Sequence, residues 1–464
     1  MPSRVLLINA NRCQVPDPVF PIGLAFLNGA LRRAGHETRW VDFSIDRLET
    51  LRGAIQDFSP AYLGVSFRNI DNVLDGRHIR YSAELAEVCG LLRKMTECPI
   101  IVGGSGFSIF PKQLLEMSGA DFGISGEGER PMVQLLGCLE TGDDPAEERI
   151  PGLVFRRGSE VVVNPQEADG FGACLEMADF PPRSVEYYLR AGGMMNLQTQ
   201  RGCPFNCCYC TYPLLEGRRS RRRAGAEVAA EMETMSRLGA RYVFIVDSVF
   251  NSSHAHVVET CEAILSRGVK IKWGCFLRPQ GLTEDLMGLM ARAGLQHVEF
   301  GSDSFCDEVL AAYGKNLRFD EILQSSELAC RAQLAYCHFL ICGGPGETRD
   351  TLRRTFENSK RTGGVIMAVA GMRVYPGTPL AGRVRDESHG GNADLLAPMY
   401  YVAPPFTAET LSAEIDGFAA RSSNWIPAKT PPAYTAMVAR LRKRGVTGPL
   451  WSYFAVTQGL WPHP

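Results

Sequence analysis

The sequence predicts an α/β protein with a doubly wound parallel sheet at the N-terminus, a second αβ series behind it and a small helical region at the C-terminal end. Three observations predict this. Short apolar runs rich in β-formers alternate with amphipathic helical patterns at βαβ spacing over roughly residues 1–145. The same rhythm resumes near residue 194 and lasts to about residue 385. Beyond that point it stops, and the chain becomes rich in proline and aromatic residues. At 464 residues, 45% hydrophobic and 22% charged, the chain has apolar material for two or three full cores.

Residues 4–9, Arg-Val-Leu-Leu-Ile-Asn, form a continuous apolar run and read as a buried parallel strand. A loop with prolines at 16, 18 and 21 leads to an amphipathic helix over 22–33, which Gly35 ends. The pattern then gives strand 37–43, a helix near 46–57, strand 61–67 and helix 81–95. Strand 99–102 runs into Gly103-Gly104-Ser105-Gly106, followed by helix 111–118, a short strand over 122–124 and helix 129–140. Residues 150–164 read as a hairpin around a glycine-containing turn and 179–183 as a connector, which makes 146–190 a hairpin and linker. The second series, 191–385, has strands over 195–200, 242–247, 269–275, 297–301, 334–341 and 364–374, with helices between them such as 226–238 and 256–267. Residues 386–464 read as a helical cap, and there is no internal repeat or low-complexity tract.

Lysine and arginine number 49 against 51 acidic residues, a net charge of −2, so no nucleic-acid or anionic membrane surface is expected. No apolar run reaches about 18 residues, so no membrane span is expected. The N-terminus enters a strand directly and has no signal-peptide pattern. Most of the 15 cysteines are scattered singly through apolar stretches, the usage of a reducing cytoplasm.

Three cysteines are different. Cys203, Cys207 and Cys210 lie in Arg201-Gly-Cys-Pro-Phe-Asn-Cys-Cys-Tyr-Cys-Thr-Tyr-Pro213, a C-x-x-x-C-x-x-C set. Three thiolates packed this closely can hold three irons of a 4Fe–4S cluster and leave the fourth open to a non-protein ligand. A structural zinc site would want a second close pair or a Cys/His mix, and His254 and His256 lack a flanking cysteine at zinc-knuckle spacing. A disulfide is out of keeping with the compartment. Cys208 reads as a bystander, and Cys13, Cys89, Cys98, Cys138, Cys174, Cys261, Cys275, Cys306, Cys330, Cys337 and Cys342 read as small core residues.

With an aromatic residue, Tyr209, just before the last cysteine, an Arg-Gly before the first and a Pro-Phe after it, this loop resembles the signature of radical SAM enzymes. The resemblance implies that 191–385 folds as a partial (β/α)6 barrel with the cluster loop at the C-terminal mouth of its strands. It implies that S-adenosylmethionine chelates the open iron and is cleaved to methionine and a 5′-deoxyadenosyl radical by an electron from a donor such as flavodoxin or ferredoxin. In the family, polar groups at the end of the second strand grip the methionine ammonium, a place matched by Asp247 and Ser248, which read equally as a helix N-cap. Arg278, after the third strand, would hold the methionine carboxylate or serve as a surface ion-pair partner. Asp303, where many relatives have Glu-Ser after the glycine, is a candidate ribose or methionine contact. Gly343-Gly344-Pro-Gly-Glu347 and Arg373-Val-Tyr-Pro-Gly377 also resemble the family and read as architectural turns.

The first βα turn, Ala10-Asn-Arg-Cys-Gln-Val-Pro16, contains no glycine, which argues against a dinucleotide site. Pro21-Ile-Gly-Leu24, Val102-Gly-Gly-Ser105 and Ser125-Gly-Glu-Gly-Glu129 instead resemble the cobalamin-binding domain fused ahead of many radical SAM barrels. That resemblance places the nucleotide tail of cobalamin between Ser66 and Gly103-Gly104, with Gly126 and Glu127 lining the same crevice. The D-x-H-x-x-G motif that supplies a histidine below cobalt elsewhere does not occur, so no histidine lower ligand is expected. Arg68 follows the third strand and is placed at the lower face of the cobalt, or else pairs with Asp71 or Asp42.

Taken together, the resemblances cover about residues 4–380 and imply a cobalamin-dependent radical SAM methyltransferase acting on a carbon of a small molecule, such as a secondary-metabolite intermediate. The same cofactors support ring contraction, cyclisation or methyl transfer to an sp2 carbon without a free radical, and a non-enzymatic cobalamin or redox sensor is the third class. Tyr187, Tyr188, Trp425, Trp451 and Trp461 are available to line a pocket or to pack in cores.

Overall fold

The computed structural model describes residues 3–13, 17–72, 80–167, 180–387, 394–426 and 432–453. Cys174 and Trp461 lie outside the described residues. The chain divides into two compact units, one made of most residues up to Tyr188 together with Leu214–Arg219, the other of most of the remainder.

The first unit is built on strands β1 (Arg4–Asn9), β2 (Glu37–Asp42), β3 (Tyr62–Ser66), β4 (Ile100–Gly103), β5 (Phe122–Ile124), β6 (Leu153–Arg157) and β7 (Glu160–Val163). They form one seven-stranded sheet in the order β2-β1-β3-β4-β5-β6-β7. The first five are parallel, and the chain reverses direction across the sheet between β1 and β3. β1 reads as an unbroken apolar run because both of its faces are covered: Val5, Leu6, Leu7 and Ile8 are all 0% exposed. Leu24 and Leu31 of helix Ile22–Arg33 and Met132, Leu135 and Leu136 of helix Glu129–Thr141 share a core with Val5, Leu7 and Ile101. The hairpin expected at 150–164 is present, and β6 and β7 add antiparallel to β5. The strands within 1–145 are parallel, as expected, and the hairpin makes the sheet mixed at this edge. Arg156 fixes the junction by donating from Nη1 to the Ala120 carbonyl at 2.7 Å.

In the second unit, β8 (Met195–Leu197) is followed by a short antiparallel pair, β9 (Gln200–Arg201) and β10 (Arg221–Arg222). Then come β11 (Tyr242–Ile245), β12 (Lys272–Leu277), β13 (Leu295–Asp303), β14 (Ala335–Cys342), β15 (Val365–Ala370), the pair β16 (Met372–Arg373) and β17 (Tyr400–Tyr401), and β18 (Trp425–Ile426). The main sheet runs β18-β15-β14-β13-β12-β11-β8, and every neighbouring pair in it is parallel. All six expected strands are there; the seventh, β18, comes from the tail, which also contributes helices Ala408–Ala419 and Pro432–Lys443. Residues 364–374 were expected as one strand, but Gly371 at φ +82° breaks the run between β15 and β16. Outward-facing Leu340, Cys342, Ile366 and Ala368 pack with Phe319, Ile322, Leu352 and Leu411 of the surrounding helices.

Candidate active site

In the first unit the carboxyl ends of the parallel strands fall level. Asn9 is in register with Asp42 on one side and Ser66 on the other, and Ser66 with Gly103. Open α/β sheets bind ligands at this edge, beside the point where strand order reverses. The Asn9 amide donates to Asp42 Oδ1 at 2.9 Å, and the Tyr188 hydroxyl donates to Asp42 Oδ2 at 2.8 Å. Asp42 is buried, which raises its pKa against these hydrogen bonds.

Beyond β3 the edge carries glycines at the ends of β4 and β5, beside Arg68 and Glu127. A Cβ on Gly103 would meet only the Ile124 carbonyl, at 3.5 Å. Gly104 is glycine for a reason internal to the fold: its φ is +100°, and a Cβ would stand 2.7 Å from the Phe67 carbonyl. Gly126, at φ +91°, faces Gln166, whose amide donates to Ser125 Oγ at 2.9 Å. Glu127 follows it and is half-buried, as is Ser66. Arg68 is half-buried, with its Nε donating to Asn69 Oδ1 at 2.8 Å. Ser66, Arg68, Gly103, Gly104, Gly126 and Glu127 thus lie at or just past the ends of β3, β4 and β5. A glycine-bearing edge of this kind fits the tail of a bulky ligand.

In the second unit, β9 leads into the loop of Cys203, Cys207 and Cys210. Cys203 is buried, and the other two are half-buried. Cys208 turns the other way, into an apolar cluster with Cys306, Val309, Tyr313 and Met372, and its backbone N–H donates to the Tyr313 carbonyl at 2.8 Å. The bystander reading of Cys208 therefore matches its place. Burial raises the Cys207 thiol, and the nearby Lys315 and Arg278 cations partly oppose it. Burial likewise pushes Cys210 up to about 12. Among the described residues no three His, Cys, Asp or Glu side chains converge to hold a single metal ion. A four-iron cluster makes no such demand, because each thiolate binds a different iron. Three soft sulfur donors on one loop beside two cations fit that group.

The neighbours of the loop are set by the strand ends. Tyr209 donates its phenol to Asp303 Oδ2 at 2.5 Å, and Lys315 Nζ holds the same oxygen at 2.6 Å. Both members of that ion pair are buried. Lys315 also donates to the Gly301 carbonyl. Arg278 lies 4.3 Å from the ring centroid of Phe205, within the loop, and donates from Nη2 to the Asn316 carbonyl at 2.6 Å. It is a brace against the loop as well as a candidate ligand contact, and it is buried, not a surface ion-pair partner. Ser248 donates to the Gly202 carbonyl at 3.4 Å.

Asp247 requires a correction. The expected contact with a methionine ammonium needs an open carboxylate, but Asp247 is 0% exposed. Its Oδ1 accepts from the backbone N–H of Thr199 at 2.7 Å and of Gln200 at 3.2 Å, and Oδ2 accepts from the Thr199 hydroxyl at 2.5 Å. The carboxylate anchors the strand that launches the cysteine loop; it is not an N-cap either. Gly343 and Gly344 are architectural, as expected, since a Cβ on Gly344 would stand 2.4 Å from the Tyr313 ring. Sequence reasoning missed Lys315 and Thr199, and it used Phe205 only as part of the motif, not as a partner of Arg278. No local signal marks Lys315, whose partner Asp303 stands at the end of the preceding strand, β13, whereas Thr199 lies just before the motif.

Residues 9–136 match the model of the B12 binding domain, and residues 197–358 match that of the radical SAM superfamily. The chain is a cobalamin-dependent radical SAM enzyme. Its cofactors are accordingly a 4Fe–4S cluster, S-adenosylmethionine and cobalamin. Among similar proteins, a tryptophan 2-C-methyltransferase of Streptomyces laurentii is 26% identical over 83% of this chain and 75% of its own length. The fold is shared with the radical S-adenosylmethionine methyltransferase TsrM from Kitasatospora setae, solved with tryptophan and a SAM analogue: TM-score 0.88, 24% identity, covering 99% of this chain and 98% of that one. The cobalamin-dependent S-adenosylmethionine radical enzyme OxsB, solved with aqua-cobalamin and S-adenosylmethionine, aligns with a TM-score of 0.72 at 16% identity over 99% of this chain and 71% of its own. No helix among the described residues is long and apolar enough to cross a membrane.

Proposed function

We propose that this enzyme is a methyltransferase that places a methyl group on a carbon atom of a small molecule, a natural-product intermediate, in the cytoplasm. The observation that carries the reading is the presence in one chain of a parallel sheet with a glycine-bearing carboxyl edge and a three-cysteine loop at the mouth of a second parallel sheet. The methyltransferase names of the similar proteins support it. When bound, the cluster and cobalamin supply the electron for S-adenosylmethionine cleavage and the carrier for the methyl group.

The residues of the chain bind, orient and shield. Cys203, Cys207 and Cys210 would hold three irons of the cluster. Tyr209, Ser248, Arg278 and Asp303 surround the place of S-adenosylmethionine, with the Lys315 and Arg278 charges offsetting the thiolates. Asp247 positions the loop from below through Thr199. Ser66, Gly103 and Gly104, with Gly126 and Glu127 beside them, would receive the nucleotide tail of cobalamin, and Arg68 would be the cation nearest its cobalt. A cation there would disfavour further positive charge on the metal. A donor such as flavodoxin or ferredoxin would supply the electron.

The test is anaerobic reconstitution with cobalamin, iron, sulfide and S-adenosylmethionine, with tryptophan as the first substrate offered. Formation of S-adenosylhomocysteine or 5′-deoxyadenosine, with a product heavier by one methylene, supports the reading. Nucleoside products without a mass gain would move the assignment to ring contraction or cyclisation. No turnover in protein that carries both cofactors would leave the sensor reading.

A further inference from the structure

One buried acid of the second unit plays no part in holding the cysteine loop. Glu299 sits in the middle of β13, is 7% exposed, and accepts a 2.8 Å hydrogen bond at Oε1 from the indole N–H of Trp451. Its Oε2 has no hydrogen-bond partner among the described residues. A carboxyl buried in this way, with a single hydrogen bond, is costly to hold there, so its presence calls for an explanation.

Side chains alternate along a strand, so the neighbours of Glu299 show which way it points. Phe300 and Ser302 face outward: Phe300 stacks on His338, and Ser302 bonds His338, which in turn reaches Ser326 on helix Phe319–Arg331. His297, Glu299 and Gly301 therefore face inward. On the same inner face His297 meets the Trp451 ring edge-on at 5.6 Å, and Cys337 and Val365 share a cluster with Trp451. Register puts Glu299 beside Phe276 on β12, two residues before Arg278, and beside Cys337 on β14. It lies one inward-facing layer beneath Gly301, whose carbonyl Lys315 holds.

The rest of this inner face is apolar and incompletely covered. Phe276, Phe339, Ile341, Met367 and Val369 are half-buried, whereas outward-facing Leu340, Ile366 and Ala368 are at most 2% exposed. Partly exposed apolar side chains around one polar group are the kind of lining small-molecule sites use. Burial raises the carboxyl of Glu299 to about 7, and the Trp451 hydrogen bond opposes it.

We propose that Glu299 is the substrate anchor of the barrel: its Oε2 accepts a hydrogen bond from the N–H of an aromatic heterocycle seated on the inner face of β12 to β15, while Trp451 fixes the carboxyl in place. This rests on the reading of the chain as an enzyme acting on a small molecule, and it names the chemistry that molecule must carry.

The test uses cofactor-loaded protein and two probes that differ only in the group at issue. These are tryptophan and 3-benzothienylalanine, which has sulfur in place of the ring N–H. Wild type is expected to bind tryptophan about tenfold or more tighter, the worth of one hydrogen bond to a buried carboxylate. Glu299→Gln, which keeps the side-chain shape, should erase the ratio. Trp451→Phe, which keeps the carboxyl but frees it to rotate, should reduce the ratio without erasing it. Equal affinities in wild type, no measurable binding of either probe, or an unchanged ratio in Glu299→Gln would overturn the assignment. Cobalamin absorbance and iron content of the wild-type preparation report separately on the broader reading: if they fail, the enzyme assignment fails, whatever the probe ratio shows.

Discussion

Tyr209 is joined to Asp303 by a 2.5 Å hydrogen bond from the phenol to Oδ2, the oxygen that Lys315 also holds at 2.6 Å. The residue before the last cysteine is thereby tied to the end of β13, where the backbone of Asp303 sits at φ +62°. An aspartate in the left-handed region at the end of a strand is a strained position kept by its surroundings. Asp303→Asn keeps the shape but leaves the buried Lys315 ammonium without a counter-charge. It should lower stability by about 3–5 kcal/mol, the cost of breaking one side of a buried pair. Tyr209→Phe removes one charge-assisted bond and should cost about 1.5–3 kcal/mol. Both should shed iron faster than wild type on dilution into chelator, which colorimetric iron release measures.

The cysteines should separate cleanly. Cys203→Ala should abolish S-adenosylmethionine cleavage while cobalamin stays bound, because the cobalamin edge belongs to a different compact unit. Cys208→Ala should keep its iron, since that thiol faces Met372 and the apolar cluster. Iron content and visible absorbance of the two variants decide the matter. Loss of cobalamin with Cys203→Ala would contradict it.

Arg68→Ala should alter the absorbance of bound cobalamin and slow its methyl loading, with the iron content unchanged. Identical cobalt spectra in variant and wild type would remove Arg68 from the lower face.

Gly104→Ala puts a methyl 2.7 Å from the Phe67 carbonyl and an L side chain at φ +100°. A cost of about 1–3 kcal/mol is expected for that conformation alone. The displaced Gly103–Ser105 segment should also weaken cobalamin binding, which equilibrium dialysis would detect.

Glu299 makes stability pH-dependent in a definite direction. Its native pKa, about 7, lies above the ordinary value of 4.5 because it is buried. The native state therefore holds the proton more tightly than the unfolded chain. The stabilisation is fully present below about pH 4.5 and is lost as pH rises through about 7, by about 3 kcal/mol over the window. Glu299→Gln should flatten that slope, as urea midpoints at pH 5 and pH 8 would show. A parallel slope in both proteins would contradict the assignment of the titration to Glu299.

What the sequence made legible was what periodicity and local motif encode. β1 and β3 are covered on both faces and so read as unbroken apolar runs, and the three cysteines announce themselves by spacing. The hairpin of β6 and β7 was visible, but its attachment to β5 was not, because strand pairing is decided by tertiary contact and leaves no local mark. β18 was missed because Trp425–Ile426 is too short for any period to show. Asp247 was misread for a similar reason. A carboxylate at a strand end looks the same in sequence whether it meets a ligand or, as here, the Thr199 backbone. Trp451 and Glu299 are 152 residues apart, and only the fold brings them together.

The most direct test of the central claim is mass spectrometry of an anaerobic reaction containing cofactor-loaded protein, a reductant, methyl-deuterated S-adenosylmethionine and tryptophan. The account predicts S-adenosylhomocysteine or 5′-deoxyadenosine together with a deuterated methyl group on a carbon of the product. Protein that carries four irons and one cobalamin per chain and yet forms neither nucleoside would contradict it.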